Sequence, residues 1–283
     1  KILKSEDKIM ILNKFANKSF VTRTLSGIVL VAVMLGTIIP GGNILFVANM
    51  LISLVGVYEL YKVLGIEKNI LGITGYIALI SYYVLLYMGK THSMMILMVV
   101  FLMALLAEYV LAFPKYKTEQ ISNAVMCMLY AGVMLSYLYS VRDGSNGAYT
   151  VWLIFLCSWG SDTCAYLVGV AFGKHKMAPV LSPKKSIEGA VGGVLGAAAL
   201  GAIYATVFRD KIEMSVSPVI AFAVICAVGA LISMVGDLAA SAIKRNHDIK
   251  DYGKIIPGHG GIMDRFDSVI YVAPVIWILL QIF

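Results

Sequence analysis

The chain has 283 residues, 60% of them hydrophobic, and its mean hydropathy is +0.85. Only 14% of the residues are charged, and the formal net charge is +7. This composition excludes a water-soluble protein. No Cys-x-x-Cys pair occurs, and all the cysteines fall inside apolar runs, which favours core packing over a disulfide or metal role. The four cysteines are predicted to pack in the core: Cys127, Cys157, Cys164 and Cys226.

Apolar runs of about 18 residues or more recur along the chain, the length that crosses a ~30 Å hydrocarbon core as a helix. The predicted fold class is therefore all-α, a polytopic integral membrane protein with about nine transmembrane helices. The predicted spans are 24–39, 43–61, 72–89, 93–113, 121–140, 149–172, 188–208, 218–240 and 267–282. Eight or ten spans stay open, and the first two segments could instead form a re-entrant hairpin around the turn at 40–42.

The charges between the spans predict a cytoplasmic N-terminus. With that orientation, nineteen of the twenty-three Lys and Arg residues lie inside, and Lys90, Arg142, Arg209 and Lys211 lie outside. Lys and Arg accumulate on the cytoplasmic side of membrane proteins, so this asymmetry favours an odd number of spans. This bias, together with attraction to anionic lipid headgroups, accounts for most of the net positive charge. A nucleic-acid partner is not needed to explain it.

The chain divides into three predicted regions. Residues 1–23 are predicted to be a cytoplasmic segment, in which 1–19 could form a basic interfacial helix or a tail. The first span is predicted to be a retained helix and not a removed signal peptide. Residues 24–148 are predicted to be a transmembrane scaffold, and 149–283 a transmembrane catalytic region. In the scaffold the acids within spans are Glu59, interpreted as paired or solvated at the interface, and Glu108.

Ionisable side chains within membrane spans are costly, so each is a hypothesis of a functional site, with a structural hydrogen bond between helices as the alternative. Asp162 and Asp237 are predicted to face a polar cavity. Ser241, Lys244 and Arg245 follow Asp237 at i+4, i+7 and i+8, on the same face of a helix. The predicted result is a polar stripe at the inner end of the span.

The loop at 173–187 is a second concentration of charge, with Lys184 and Lys185 adjacent. Ser186 is predicted to cap the helix that begins at Ile187, and lysines at a helix N-terminus suit phosphate as well as membrane topology. The glycines that follow at 189, 192, 193 and 196 predict close helix packing.

The stretch 241–267 holds five Lys or Arg and four Asp residues within an apolar chain. The turn Pro257-Gly258-His259-Gly260-Gly261 is predicted to offer backbone N–H groups to a phosphate. Asp264 and Asp267 share a face if the last helix has begun, and paired carboxylates suit Mg²⁺. His259 could be a base, a phosphate donor or a structural residue.

This stretch resembles the signature of the phosphatidate cytidylyltransferase (CDP-diacylglycerol synthase) family. The fixed positions are all met: Ser241, Lys244, Arg245, Lys250, Asp251, Gly253, Pro257, His259, Gly260, Gly261, Asp264, Arg265 and Asp267. A second block of the family is similar to residues 162–189, which include Asp162 and Ser182. The resemblance covers about residues 150–283, and Ala240 departs from it where many members carry Glu.

The resemblance implies the reaction of CTP with phosphatidate to give CDP-diacylglycerol and pyrophosphate. It implies Asp237, Asp264 and Asp267 as ligands of Mg²⁺, with room for a second cation. These three acids, Lys244 and Arg245 would be catalytic. The implied substrate contacts are Asp162, Ser182, Lys184, Lys185, Ser241, Lys250, Asp251, His259, Gly260, Gly261 and Arg265.

The same resemblance implies a bacterial inner-membrane enzyme with its site facing the cytoplasm, and a homodimer. Two other classes stay open. A CTP-dependent lipid kinase of the polyprenol type would transfer the γ-phosphoryl group instead. A secondary transporter would place its binding site near the bilayer midplane, whereas the charges here lie at the inner surface.

Overall fold

The computed structural model describes the backbone of residues 5–283 and the side chains of residues 21–283. Within this part of the chain, nine helices are long and apolar enough to cross a membrane. The all-α membrane fold predicted from the apolar runs is therefore confirmed. The helices are α1 (Ser5–Ile38), α2 (Gly42–Val63), α3 (Ile70–Tyr87), α4 (Thr91–Leu111), α5 (Thr118–Asp143), α6 (Gly147–Phe172), α7 (Ile187–Val207), α8 (Pro218–Asn246) and α9 (Met263–Ile282).

The helix bounds differ from the predicted spans mainly beside the charged stretch. α8 continues six residues past 240, to Asn246, and α9 begins four residues before 267, at Met263. Both helices extend into charged residues, because the ends of these helices lie at the predicted water interface, where charged side chains are solvated. α1 and α2 are separate long helices, so the re-entrant hairpin is wrong. The interfacial segment predicted at 1–19 lies outside the residues whose side chains are described.

Two of the spans contain a π-helical segment. The segment Met128–Met134 interrupts α5, and Leu156–Gly160 interrupts α6. Such bulges are frequent at functional sites. The second one ends directly before Ser161 and Asp162, the first residues of the next α-helical segment.

The loop at 173–187 folds into a short antiparallel hairpin that the sequence did not predict. Its strands are β1 (Lys176–Ala178) and β2 (Ser182–Ser186). The predicted cap is confirmed, because the Ser186 hydroxyl accepts the Gly189 N–H at 3.1 Å. β2 therefore runs directly into α7, and the hairpin is fixed at the end of the helix bundle.

The second half of the bundle is held together by close helix packing. A Cβ at Gly193 would lie 3.0 Å from Ser161 Oγ and from Ala165 Cβ, so α7 meets α6 through the predicted glycines. The cysteines are all free. Cys127, Cys157 and Cys226 are buried, as predicted for core residues, and Cys164 is half-buried.

Candidate active site

The site is built at one end of α8, where the chain turns through residues 247–262 and enters α9. The predicted stripe on α8 is helical throughout, since α8 continues to Asn246. Its members contact different partners. Asp237 forms an ion pair with Lys185 of β2, and Lys244 forms one with Asp264 of α9 at 2.9 Å. Arg245 is exposed.

Asp264 connects α8, the loop and α9. Its side chain is only 3% exposed. Oδ1 accepts Lys244 Nζ, while Oδ2 accepts the N–H of Tyr252 at 2.8 Å and of Gly261 at 3.0 Å. Both oxygens thus hold the protein's own donors, and this carboxylate sets the path of the 252–261 loop. Its predicted role as a metal ligand stays a prediction.

Tyr252 fixes the same loop from its other side, a role for which the sequence contains no signal. Its hydroxyl donates to the Ala240 carbonyl at 2.8 Å, and Lys244 Nζ lies 5.3 Å from the centre of its ring. Burial raises the pKa of the Tyr252 phenol above its ordinary value. The phenol therefore remains a hydrogen-bond donor at neutral pH.

Seven of the predicted residues line one cavity of about 590 Å³, which we call the acidic cavity. They are Asp162, Ser182, Lys184, Lys185, Asp237, Asp264 and Asp267. The hairpin brings the two lysines to this cavity, opposite the acids of α8 and α9. Four carboxylates and three ammonium groups, the third from Lys176 of β1, can neutralise both a metal ion and a polyphosphate in this cavity.

The donors of the acidic cavity fit Mg²⁺, which binds one or two carboxylates and completes its shell with water and phosphate. Asp267 interacts electrostatically with Asp237 and Asp162, and repulsion among these acids favours a bound cation. Among the described residues, no three His, Cys, Asp or Glu side chains approach closely enough to hold a metal alone. Water and substrate oxygens would supply the remaining ligands.

Several other predicted residues of the stretch line a second cavity of about 660 Å³, which we call the basic cavity. It includes Lys250, Asp251, His259, Gly260 and Arg265 from the prediction. Arg23 of α1 and Lys254 also line it, and neither was predicted. Lys254 could have been found by its place in the charged stretch, but nothing in the sequence relates Arg23 to residues more than 200 positions later.

The glycine turn separates the two cavities. Gly260 has φ +87°, and a Cβ there would lie 2.9 Å from Asp264 Oδ2 and 3.4 Å from Asp251 Oδ1. The predicted phosphate loop is only partly available. The His259 N–H donates to the Ile256 carbonyl at 2.9 Å, and the Gly261 N–H is held by Asp264. His259 Nδ1 lies 2.7 Å from Ser26 Oγ, which favours the structural interpretation of this histidine.

Glu59 supports the site from α2. It is 1% exposed, and its two oxygens accept the N–H groups of Ile262 at 3.2 Å and Met263 at 2.9 Å. It therefore caps α9, whose first turn carries Asp264. Of the two predicted alternatives, Glu59 is paired and not solvated, with backbone N–H groups as its partners. The helix end it caps is more than 200 residues away in sequence.

The remaining predicted residues lie between or beside the cavities. Lys244 and Gly261 meet at Asp264, and Ser241 is half-buried on α8. The stretch 241–267 is thus divided into two cavities that share a wall at Asp264 and Gly260. Asp264 and Asp267 face the acidic cavity, whereas Asp251 and most of the cations of the stretch face the basic cavity.

Comparison with known proteins identifies relatives along nearly the whole chain. The model of the cytidylyltransferase family matches residues 21–283. A phosphatidate cytidylyltransferase of Staphylococcus saprophyticus is 32% identical over 263 residues, which cover 91% of this chain and 98% of the relative. Those of Staphylococcus haemolyticus and Staphylococcus aureus are each 33% identical, with the same coverage. The resemblance of residues 150–283 is confirmed, and it extends into the first half.

Proposed function

Since this chain belongs to the cytidylyltransferase family, we propose that it makes CDP-diacylglycerol and pyrophosphate from CTP and phosphatidate. The observation that supports this most directly is the acidic cavity. There Lys185 lies against Asp237, and Asp264 and Asp267 line the same space. A site that joins two phosphate-bearing substrates needs cations for their charge and carboxylates for a metal, and this cavity offers both.

In the proposed reaction, an oxygen of the phosphatidate phosphate forms a bond to the α-phosphorus of CTP. The bond from that phosphorus to the bridging oxygen breaks, and its electron pair leaves with pyrophosphate. The attacking and leaving oxygens must lie in line, so positioning and charge neutralisation carry the catalysis. A phosphate monoester has its second pKa near ~6, as in phosphoserine, so most of it is dianionic at pH 7. No general base is needed.

Lys184 and Lys185 would bind the triphosphate, because β2 holds them at the acidic cavity and Ser186 fixes the strand to α7. Asp237 and Asp267 are the best candidates to hold Mg²⁺, since Asp264 already accepts three donors. When bound there, the ion would stabilise the negative charge of the departing pyrophosphate. Lys244 and Asp264 keep the wall of the cavity in place.

The product of the reaction distinguishes this function from the alternatives. Purified protein in lipid nanodiscs is incubated with Mg²⁺, phosphatidate and CTP labelled at the α-phosphorus. Label that enters the lipid, with release of pyrophosphate, supports the proposal. Release of labelled CDP would instead identify a lipid kinase, and no turnover of either kind would contradict the proposed function.

The residue test uses Asp267→Asn. We expect turnover to fall ~10²–10³-fold, the usual loss when one electrostatic contact to a transition state is removed. Asp264→Asn is a less selective change, because it also disrupts the loop that Asp264 holds. Asp210→Asn is the matched control, since Asp210 is exposed and lies outside the site. Unchanged turnover in Asp267→Asn would refute the assignment of this carboxylate.

A further inference from the structure

α1 is attached to the bundle at its two ends and stands apart between them. At the end near the site, Ser26 Oγ donates to the Pro257 carbonyl at 2.8 Å. At the other end, Arg142 Nε and Nη2 donate to the carbonyls of Ile38 and Ile39 at 2.9 and 3.0 Å. Only 6% of the span Val21–Ile38 is buried, against 44% of the next span.

An apolar groove of about 550 Å³ lies between these two attachments. We call it the α1 groove. On α1 its lining includes Leu25, Val29, Val33 and Thr37, and α2, α5, α6 and α9 supply the other walls. From Leu25 to Thr37 a helix rises roughly 18 Å, which is slightly more than the ~15 Å depth of one leaflet of the hydrocarbon core. The groove is therefore as long as the acyl region of a single lipid.

The α1 groove adjoins the basic cavity at its site end, since Ile256 and Pro257 line both. Arg23, Lys250, Lys254 and Arg265 line that cavity, and within the described part of the chain none of them forms an ion pair. Asp251 is the one acidic residue among the cavity's lining residues. Arg265 Nε is buried without a hydrogen-bond partner, which a phosphate oxygen would supply.

We infer that these two adjoining cavities form the recognition site for phosphatidate, with an acyl chain in the α1 groove and the phosphate in the basic cavity. The inference deepens the proposed function and depends on it for the identity of the lipid. Apolar lining alone accepts any acyl chain. The cations select an anionic headgroup, and a terminal phosphate carries more charge than a phosphodiester.

The two cavities meet at the turn of Gly260, so the phosphate that the basic cavity recognises must pass this turn to reach CTP in the acidic cavity. The lipid phosphate lies beside Gly260 and Arg265, and the acidic cavity with Asp264 lies directly beyond them. α1 is then a lipid-binding helix. The lipid reaches the site sideways from the bilayer, between α1 and α2.

The test compares two valine substitutions on α1. Val29 lines the α1 groove, whereas Val31 lies on another face of α1. Both side chains are exposed, Val29 at 60% and Val31 at 44%. Val29→Trp should fill the groove and raise the KM for phosphatidate at least ~10-fold without changing the KM for CTP. Val31→Trp, the matched control, should behave as the unmodified protein. Val33→Trp provides a second groove variant if Val29→Trp does not fold.

Binding is measured separately from turnover, by native mass spectrometry of protein released from nanodiscs that contain phosphatidate, phosphatidylglycerol and phosphatidylcholine. The unmodified protein should retain phosphatidate preferentially, and Arg23→Gln should lose that preference while Arg209→Gln, a control at the opposite end, keeps it. Equal retention of the three lipids, or normal retention by Val29→Trp, would overturn the inference. The proposed function would survive either result, because it is decided by the labelled product.

Discussion

Glu59 gives the sharpest test of how the site is held together. Its carboxylate lies on α2 and accepts the Ile262 and Met263 N–H groups at the start of α9. Each hydrogen bond to a charged group contributes roughly 1.5–3 kcal/mol to stability. Glu59→Ala removes both bonds and leaves two buried donors without partners. We therefore expect a loss of about 3–6 kcal/mol in the free energy of unfolding.

Glu59→Gln separates geometry from charge. The amide keeps one acceptor oxygen but places an NH₂ group against the other backbone donor, so about half of the loss is expected, ~1.5–3 kcal/mol. At roughly 2–4 °C per kcal/mol, the melting temperature should fall by on the order of 3–12 °C for Gln and about twice that for Ala. Turnover should fall as well, since α9 carries Asp264 and Asp267.

The assay is thermal unfolding of the detergent-solubilised variants, followed by turnover of CTP and phosphatidate at a temperature where all variants are folded. Glu108→Gln is the matched control. Glu108 lies within α4, accepts a hydrogen bond from Thr74 Oγ1, and is remote from both cavities. If Glu59→Gln and Glu108→Gln gave the same melting temperature and the same turnover, the capping role of Glu59 would be refuted.

Two further predictions concern the loop that separates the cavities. Gly260→Ala should lower turnover by ~10-fold or more. A non-glycine residue in the left-handed conformation costs about 1–2 kcal/mol of stability, and the new Cβ would press against Asp264. Gly65→Ala is the control, because Gly65 also has a positive φ, +69°, but faces open space, so the substitution should affect stability alone. Tyr252→Phe should lower the free energy of unfolding by ~0.5–1.5 kcal/mol through the lost bond to Ala240. Because burial raises the pKa of Tyr252, its contribution is complete below the unfolded pKa of about 10 and declines at higher pH. Denaturation at pH 7 and pH 11 should therefore show a smaller difference between Tyr252→Phe and the unmodified protein at pH 11, and an equal difference would contradict this.

Local features of the chain could be predicted because they depend on near neighbours. The nine spans follow from the length of apolar runs, and the Ser186 cap from a serine directly before a helix. Asp264 and Asp267 share α9 as their spacing requires. The hairpin at 176–186 was missed, because strands this short pair only where a neighbouring helix end holds them.

Features of the site that join distant segments could not be predicted. The sequence groups residues 241–267 as one charged stretch, but folding places Asp264 and Asp267 at the acidic cavity and Lys250, Asp251, Lys254 and Arg265 at the basic cavity. The reason is that the loop between α8 and α9 folds back onto Asp264. The two oxygens of Asp264 accept hydrogen bonds from Lys244, Tyr252 and Gly261. Spacing along the chain shows which residues share a helix face, but not which cavity a loop residue faces.

Composition, apolar periodicity and the signature stretch determined by themselves that this is a membrane protein of the cytidylyltransferase family with acids and cations at one end of its bundle. Each of these depends on residues close together in sequence. Only the tertiary structure decided that Glu59 caps α9, that Arg23 joins the basic cavity, and that α1 stands apart from α2. Those contacts join residues more than 200 positions apart or depend on how far two helices separate, and both are set by packing of the whole bundle.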